Sequence, residues 1–105
     1  MTVRRSVFIA HARADRDIAA FFDDLGPTVG EWSVIRVPVS EDWWTSAQKC
    51  IHACDAFVFV DTEAARISRW CLQELAAAEA ARRPVRRITR EELWTLADML
   101  ARWSW

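Results

Sequence analysis

Ala56-Phe57-Val58-Phe59-Val60-Asp61-Thr62-Glu63-Ala64-Ala65-Arg66-Ile67-Ser68-Arg69-Trp70-Cys71-Leu72-Gln73-Glu74-Leu75 holds a strand, a connection and the start of a helix in one unbroken run. The apolar residues Ala56 to Val60 follow one another without polar alternation, as in a strand buried on both faces. Asp61 opens a polar connection that reads as loop up to Ser68, and Ser68 is placed to cap the next helix. Cys71, Leu72, Leu75 and Ala78 are the apolar positions of that helix and are expected to face the sheet. Trp70 and Glu74 stand at i and i+4, so indole and carboxylate share one helix face and can border one cavity. A carboxylate beside a flat aromatic suits a ligand that combines a planar cationic ring with a sugar.

The same alternation extends in both directions. Ser6 to Ala10 is a second short buried strand, followed by the polar loop His11 to Asp15. Ile18, Phe21, Phe22 and Leu25 repeat at helical spacing before Gly26-Pro27, with Asp15 a candidate N-cap. Glu31 to Val37 reads as a strand ending at Pro38, and Val39 to Trp44 as a loop. Asp42 is placed to cap a helix through Ala53 whose buried stripe is Ala47, Cys50, Ile51 and Cys54. Pro84 to Ile88 gives a short edge strand, and Thr89 and Glu92 form a capping box for a last helix lined by Leu93, Leu96, Ala97 and Leu100. Strands alternating with helices imply βαβ crossovers and a parallel sheet, with ligands bound outside the carboxyl ends of its strands. Three connections meet that edge: Ala10–Asp15, Pro38–Trp44 and Asp61–Ser68.

Composition narrows the function classes. A chain of 105 residues that is 52% hydrophobic and 28% charged suits one globular domain. Its formal net charge of −1 offers no general attraction to nucleic acid or an anionic membrane. No apolar run approaches a membrane span, and no signal peptide is visible. The odd count of three cysteines favours a reducing cytoplasm. Seven tryptophans against no tyrosine, gathered toward loops and the C-terminus, suggest that some serve an interface.

Taken together, these segments resemble a TIR (Toll/interleukin-1 receptor) domain. Val7-Phe8-Ile9-Ala10-His11-Ala12-Arg13-Ala14-Asp15 resembles the first-strand box, with Ala10 at the place of its usual serine. Ser68-Arg69-Trp70-Cys71-Leu72-Gln73-Glu74-Leu75 resembles the S-x-W-C-x-x-E-L box of the third helix. Trp43, Ala47, Ile51 and Asp55 match a spacing found in small bacterial TIR-like proteins of anti-phage defence. The resemblance covers about residues 6–85. It implies a flavodoxin-like three-layer α/β sandwich, with a parallel sheet of about four strands flanked by helices, in a single domain over residues 1–105. It further implies cleavage of NAD+ at the nicotinamide–ribose bond, to ADP-ribose or a cyclic isomer, in bacterial immune signalling. NAD+ is then the substrate and no cofactor is called for. Self-association or pairing with other TIR domains would activate the site.

By the same resemblance Glu74 is the catalytic residue and Trp70 stacks near the nicotinamide. Trp43 and Trp44 fall in the loop through which one subunit covers its neighbour's site. Glu74 would stabilise the positive charge of an oxocarbenium-like sugar, and neutral nicotinamide leaves without a general acid. Each residue also has a plainer reading. Glu74 is a solvated helix glutamate paired with arginine, Trp70 packs at the helix start, and one of Trp43 and Trp44 caps the core. Ser68 is a helix cap before it is a ligand contact, Cys71 is a small core residue, and Asp15 caps its helix. His11 and Arg13 stand at the first-strand loop, where Arg13 suits a phosphate.

Two further clusters carry less. Cys50, His52 and Cys54 have no zinc geometry, because helix spacing turns His52 away from the cysteines. Arg82, Arg83, Arg86 and Arg87 lack interleaved aromatics and read as a solvated edge rather than a nucleic-acid surface. Beside the NAD+-cleaving enzyme stand two other readings: a non-catalytic TIR interaction module, and a nucleoside deoxyribosyltransferase-like enzyme of the same fold.

Overall fold

The computed structural model describes residues 5–15, 17–18, 28–29, 32–35 and 42–102. Within them the strands are β1 (Arg5–Ala10), β2 (Thr28–Val29), β3 (Trp32–Val34), β4 (Ala56–Val60) and β5 (Val85–Ile88). The helices are α1 (Trp43–Ala53), α2 (Glu63–Ile67), α3 (Arg69–Ala80), a 3-10 turn (Glu91–Thr95) and α4 (Leu96–Arg102). The sheet runs β2-β3-β1-β4-β5, parallel except where β2 pairs antiparallel with β3. The flavodoxin-like fold with four parallel strands is therefore the architecture, and β2 is an addition the sequence does not signal. Two residues are too few to show a period.

Successive side chains of β1 and β4 point to opposite faces and build two separate cores. Val7, Val58, Val60 and Ile88 pack with Trp32, Val34, Leu93, Leu96 and Leu100 on one side. Phe8, Ala10, Phe57 and Phe59 pack with Ile51, Cys54, Ala65, Cys71, Leu75 and Ala78 on the other. The sheet is thus the middle of three layers. Parallel pairing places Phe8 opposite Phe57, and their rings stack at 5.4 Å and 6°. On the first face the Trp32 indole N–H donates to the Leu100 carbonyl at 3.0 Å, fastening α4 to β3.

Local signals placed most boundaries. The Asp42 side chain accepts from the Thr45 amide, so α1 begins at Trp43. Thr89 and Glu92 exchange both bonds of the capping box, although the turn that follows is 3-10 before α4 begins. The line Trp43, Ala47, Ile51, Asp55 acquires a physical meaning. Ala47 and Ile51 are fully buried, and the Asp55 carboxylate accepts from the Ser6 amide at 2.7 Å, joining the starts of β1 and β4.

Two expectations are corrected. The segment Asp61–Ser68 is not all loop, since the Thr62 hydroxyl caps the five-residue helix α2 through the Ala65 amide. Leu72 is 45% exposed, because the buried stripe of α3 is Cys71, Glu74, Leu75 and Ala78. Positions i, i+3, i+4 and i+7 share a face, and Leu72 lies off it. The Asp15 carboxylate accepts from the Thr62 hydroxyl at 2.7 Å and from Arg90 at 2.8 Å, and its carbonyl accepts from the Ile18 amide at 3.0 Å, while most of the helix it is expected to cap lies outside the described residues. Of the helix expected from Ile18, Phe21, Phe22 and Leu25, Asp17 and Ile18 are helical, while Phe21, Phe22 and Leu25 lie outside the described residues.

Helix α3 ends in a Schellman turn, with the Arg83 amide on the Ala78 carbonyl and the Arg82 amide on the Glu79 carbonyl. Arg82 sits there at φ 57°, a conformation that favours glycine because it has no Cβ. Arg82→Gly is expected to stabilise the fold by about 1 kcal/mol in a denaturant titration, with the site untouched.

Candidate functional site

The loop at the carboxyl end of β1 and the N-termini of α1 and α3 enclose a pocket of about 640 Å³. This is the edge where a parallel sheet binds its ligands. His11 and Arg13 enter from the loop after β1, and Asp42, Trp43 and Trp44 from the start of α1. Ser68, Trp70, Cys71 and Glu74 enter from the first turns of α3. All seven residues singled out from the sequence, namely His11, Arg13, Trp43, Trp44, Ser68, Trp70 and Glu74, line this one space. Asp42 and Cys71, read from sequence only as cap and core, line it too. Helical spacing already placed Cys71 beside Glu74, whereas Asp42 was hidden by its service as an N-cap.

Glu74 is the unusual residue. It occupies a core position of α3 and is only 6% exposed. No side chain among the described residues pairs with its carboxylate, so the solvated, arginine-paired glutamate of the plainer reading is excluded. Burial removes water from the charged form and pushes its pKa up to about 8. A buried, unpaired acid in a cleft disfavours folding, and such strain marks functional sites.

Three indoles surround the opening. Trp43 meets Trp70 edge to face, with centroids 5.2 Å apart at 83°. Trp44 lies 6.4 Å from Trp70 at 49° and 6.2 Å from Trp43 at 34°. Trp70 is 52% exposed and stands at the mouth, not packed into the core. The placement of Trp43 and Trp44 corrects two expectations. They open α1 instead of lying in a loop, and neither joins the two cores. Both face their own chain's pocket, because the Asp42 cap starts the helix there.

Ser68 does the work of a cap, its hydroxyl accepting from the Cys71 amide at 3.3 Å, while also bordering the pocket. Cys71 is buried and its thiol pKa is raised, first by burial and further by Glu74. Burial raises the Cys54 thiol to about 11. Neither is poised as a nucleophile, since the thiolate is the reactive form. Mass-spectrometric mapping after brief iodoacetamide treatment at pH 8 should therefore find Cys50, the partly exposed thiol, labelled well before Cys54 and Cys71.

Behind the pocket, charged groups hold the loops in place. Arg90 bridges Asp15 and Asp17, and Thr62 adds its hydroxyl to Asp15. The connections after β1, β4 and β5 are thereby tied together, fixing the loop that carries His11 and Arg13. Among the described residues no group of His, Cys, Asp or Glu is arranged to hold a metal ion, and no helix is long and apolar enough to cross a membrane.

The sequence profile of the TIR domain family matches residues 7–94. The chain belongs to the TIR domain family. No curated protein matches the sequence. Among solved structures, this TIR domain is similar to a CMP N-glycosidase of Clostridium botulinum, BcmB, with a TM-score of 0.65 and 19% identity. The match covers 94% of this chain and 100% of the other. At that identity the likeness speaks to fold alone.

Proposed function

We propose that this TIR domain is an N-glycosidase that cleaves the nicotinamide–ribose bond of NAD+, giving ADP-ribose or a cyclic isomer, in bacterial immune signalling. The observation that carries the reading is Glu74, a buried carboxyl group with no side-chain partner among the described residues, in a pocket walled by tryptophan. The C1′–N bond breaks with its electron pair passing to the pyridine nitrogen, and the ribose develops oxocarbenium character. Glu74 lies where it can accept hydrogen bonds from ribose hydroxyls and oppose that charge. The nicotinamide ring rests against Trp70, and Arg13 suits the diphosphate. Support also comes from the Clostridium botulinum protein, whose name describes cleavage of a nucleotide's N-glycosidic bond.

Activation by self-association belongs to the same proposal. Ile67 and Trp94 are large apolar side chains left mostly exposed, as a surface used by a second copy would leave them. These residues equally favour a second reading, an interaction module without turnover. Purified protein incubated with NAD+ distinguishes the two. The enzyme releases nicotinamide with a rate that climbs faster than protein concentration, and Glu74→Ala abolishes it. Deoxynucleosides in the same assay test the deoxyribosyltransferase-like alternative.

A further inference from the structure

We infer that the pocket selects its leaving group by charge and accepts any nucleotide whose base is quaternised at a ring nitrogen, 7-methylguanine nucleotides included, while sparing neutral bases. This rests on Glu74 being the catalytic residue, but not on NAD+ being the natural substrate. The indoles of Trp43, Trp44 and Trp70 all line the pocket and are inclined to one another at 34° to 83°. Indole faces attract cations, most strongly where water is excluded. Glu74 adds a carboxyl group that has no cationic partner among the described residues. The space of about 640 Å³ is ample for a purine nucleotide.

The chemistry runs the same way for each such base. As the C1′–N bond breaks, the ring nitrogen keeps the electron pair and the base departs neutral, with no proton donated to it. A water oxygen then bonds to C1′ and its proton passes to solvent. A neutral base such as cytosine or guanine must instead be protonated as it leaves. Among the described residues, the titratable groups that line the pocket with Glu74 are His11, Arg13 and Asp42, with Cys71 on its own helix. Because burial holds the Glu74 proton until about pH 8, a bound cation favours its release, and selectivity for cations grows as pH rises.

Calorimetry with 1-methylnicotinamide and nicotinamide, which differ by one methyl group and one charge, tests binding without turnover. The cation is expected to bind at least tenfold tighter, with a margin that widens from pH 6 to pH 9, loses its pH dependence in Glu74→Gln and shrinks in Trp70→Leu. Equal affinities for the wild-type protein overturn the inference. In parallel, NAD+, 7-methylguanosine 5′-monophosphate, GMP and CMP are incubated with protein at pH 7. Release of nicotinamide and 7-methylguanine at least a hundredfold faster than guanine or cytosine is the expected result. Cytosine or guanine released at a comparable rate overturns charge selection. NAD+ consumed without preference for 1-methylnicotinamide leaves the NAD+ reading standing and removes this one. 7-Methylguanine released while NAD+ stays intact overturns both, since NAD+ itself carries a quaternised base.

Discussion

Replacing Glu74 with glutamine is expected to abolish glycosidic cleavage and at the same time raise the melting temperature. The two effects have one cause. In the folded protein the carboxyl group is buried, has no side-chain partner among the described residues, and burial pushes its pKa up to about 8, against 4.5 when exposed. Because the folded-state value is the higher one, the folded protein binds the proton more tightly. Stability is therefore greatest below about pH 4.5, declines as pH rises, and levels off above about pH 8. At pH 7 the unfolded chain gains from ionising this residue while the folded chain holds it neutral, a penalty of about 3 kcal/mol. Glutamine keeps the shape and has nothing to ionise, so the penalty disappears. In a domain of this size a rise of about 10 °C in melting temperature follows at pH 7, shrinking toward zero near pH 4. Turnover should fall by a few hundredfold or more, the usual consequence of removing a group that stabilises charge in the transition state. Under the proposed function, the unaltered protein is expected to show a kcat/KM that rises about tenfold per pH unit below pH 8, the carboxylate being the proposed working form. Scanning calorimetry at pH 4 and 7, beside an activity assay, reads these outcomes. A variant less stable than the parent at pH 7 would contradict the burial penalty.

Phe57→Ala should produce the largest loss of stability of any single truncation considered. Phe57 is fully buried in β4, and its ring stacks on Phe8 across the β1–β4 pairing. It stands in the core beneath α1 and α3, the two helices whose first turns build the pocket. Removing a buried phenyl ring costs about 3–5 kcal/mol through lost transfer energy and the cavity left behind. Since a small domain has only about 5–15 kcal/mol in total, much of the stability would go. A urea titration followed by tryptophan fluorescence should show the midpoint displaced far to lower denaturant, or no folded baseline at all. Phe57→Leu, which refills most of the volume, should recover more than half of the loss.

Much of this arrangement was legible in the chain because it rests on local rules. The unbroken apolar run of β4, the caps Asp42 and Ser68, and the Thr89–Glu92 box each announce themselves within a few residues. What escaped depended on crowding or on distance. Thr62 and Ser68 are caps only six positions apart, so the short helix between them reads as a polar connection. Leu72 looked like core because it is apolar, yet the stripe through Cys71, Leu75 and Ala78 passes through Glu74 instead. That substitution of an acid for a hydrophobe in a helix stripe was present in the sequence and is the sharpest pointer to the site. The gathering of Trp43 and Trp44 around Trp70 required tertiary placement of α1 against α3, which no local pattern reveals.

The central claim is that Glu74 breaks the glycosidic bond of NAD+ in this pocket. Chromatographic measurement of NAD+ and nicotinamide at high protein concentration, with Glu74→Ala alongside, tests it most directly. The account predicts stoichiometric release of nicotinamide by the parent protein and none above background by the variant. Nicotinamide release that persists unchanged in Glu74→Ala, or NAD+ left intact by a folded parent protein, would contradict it.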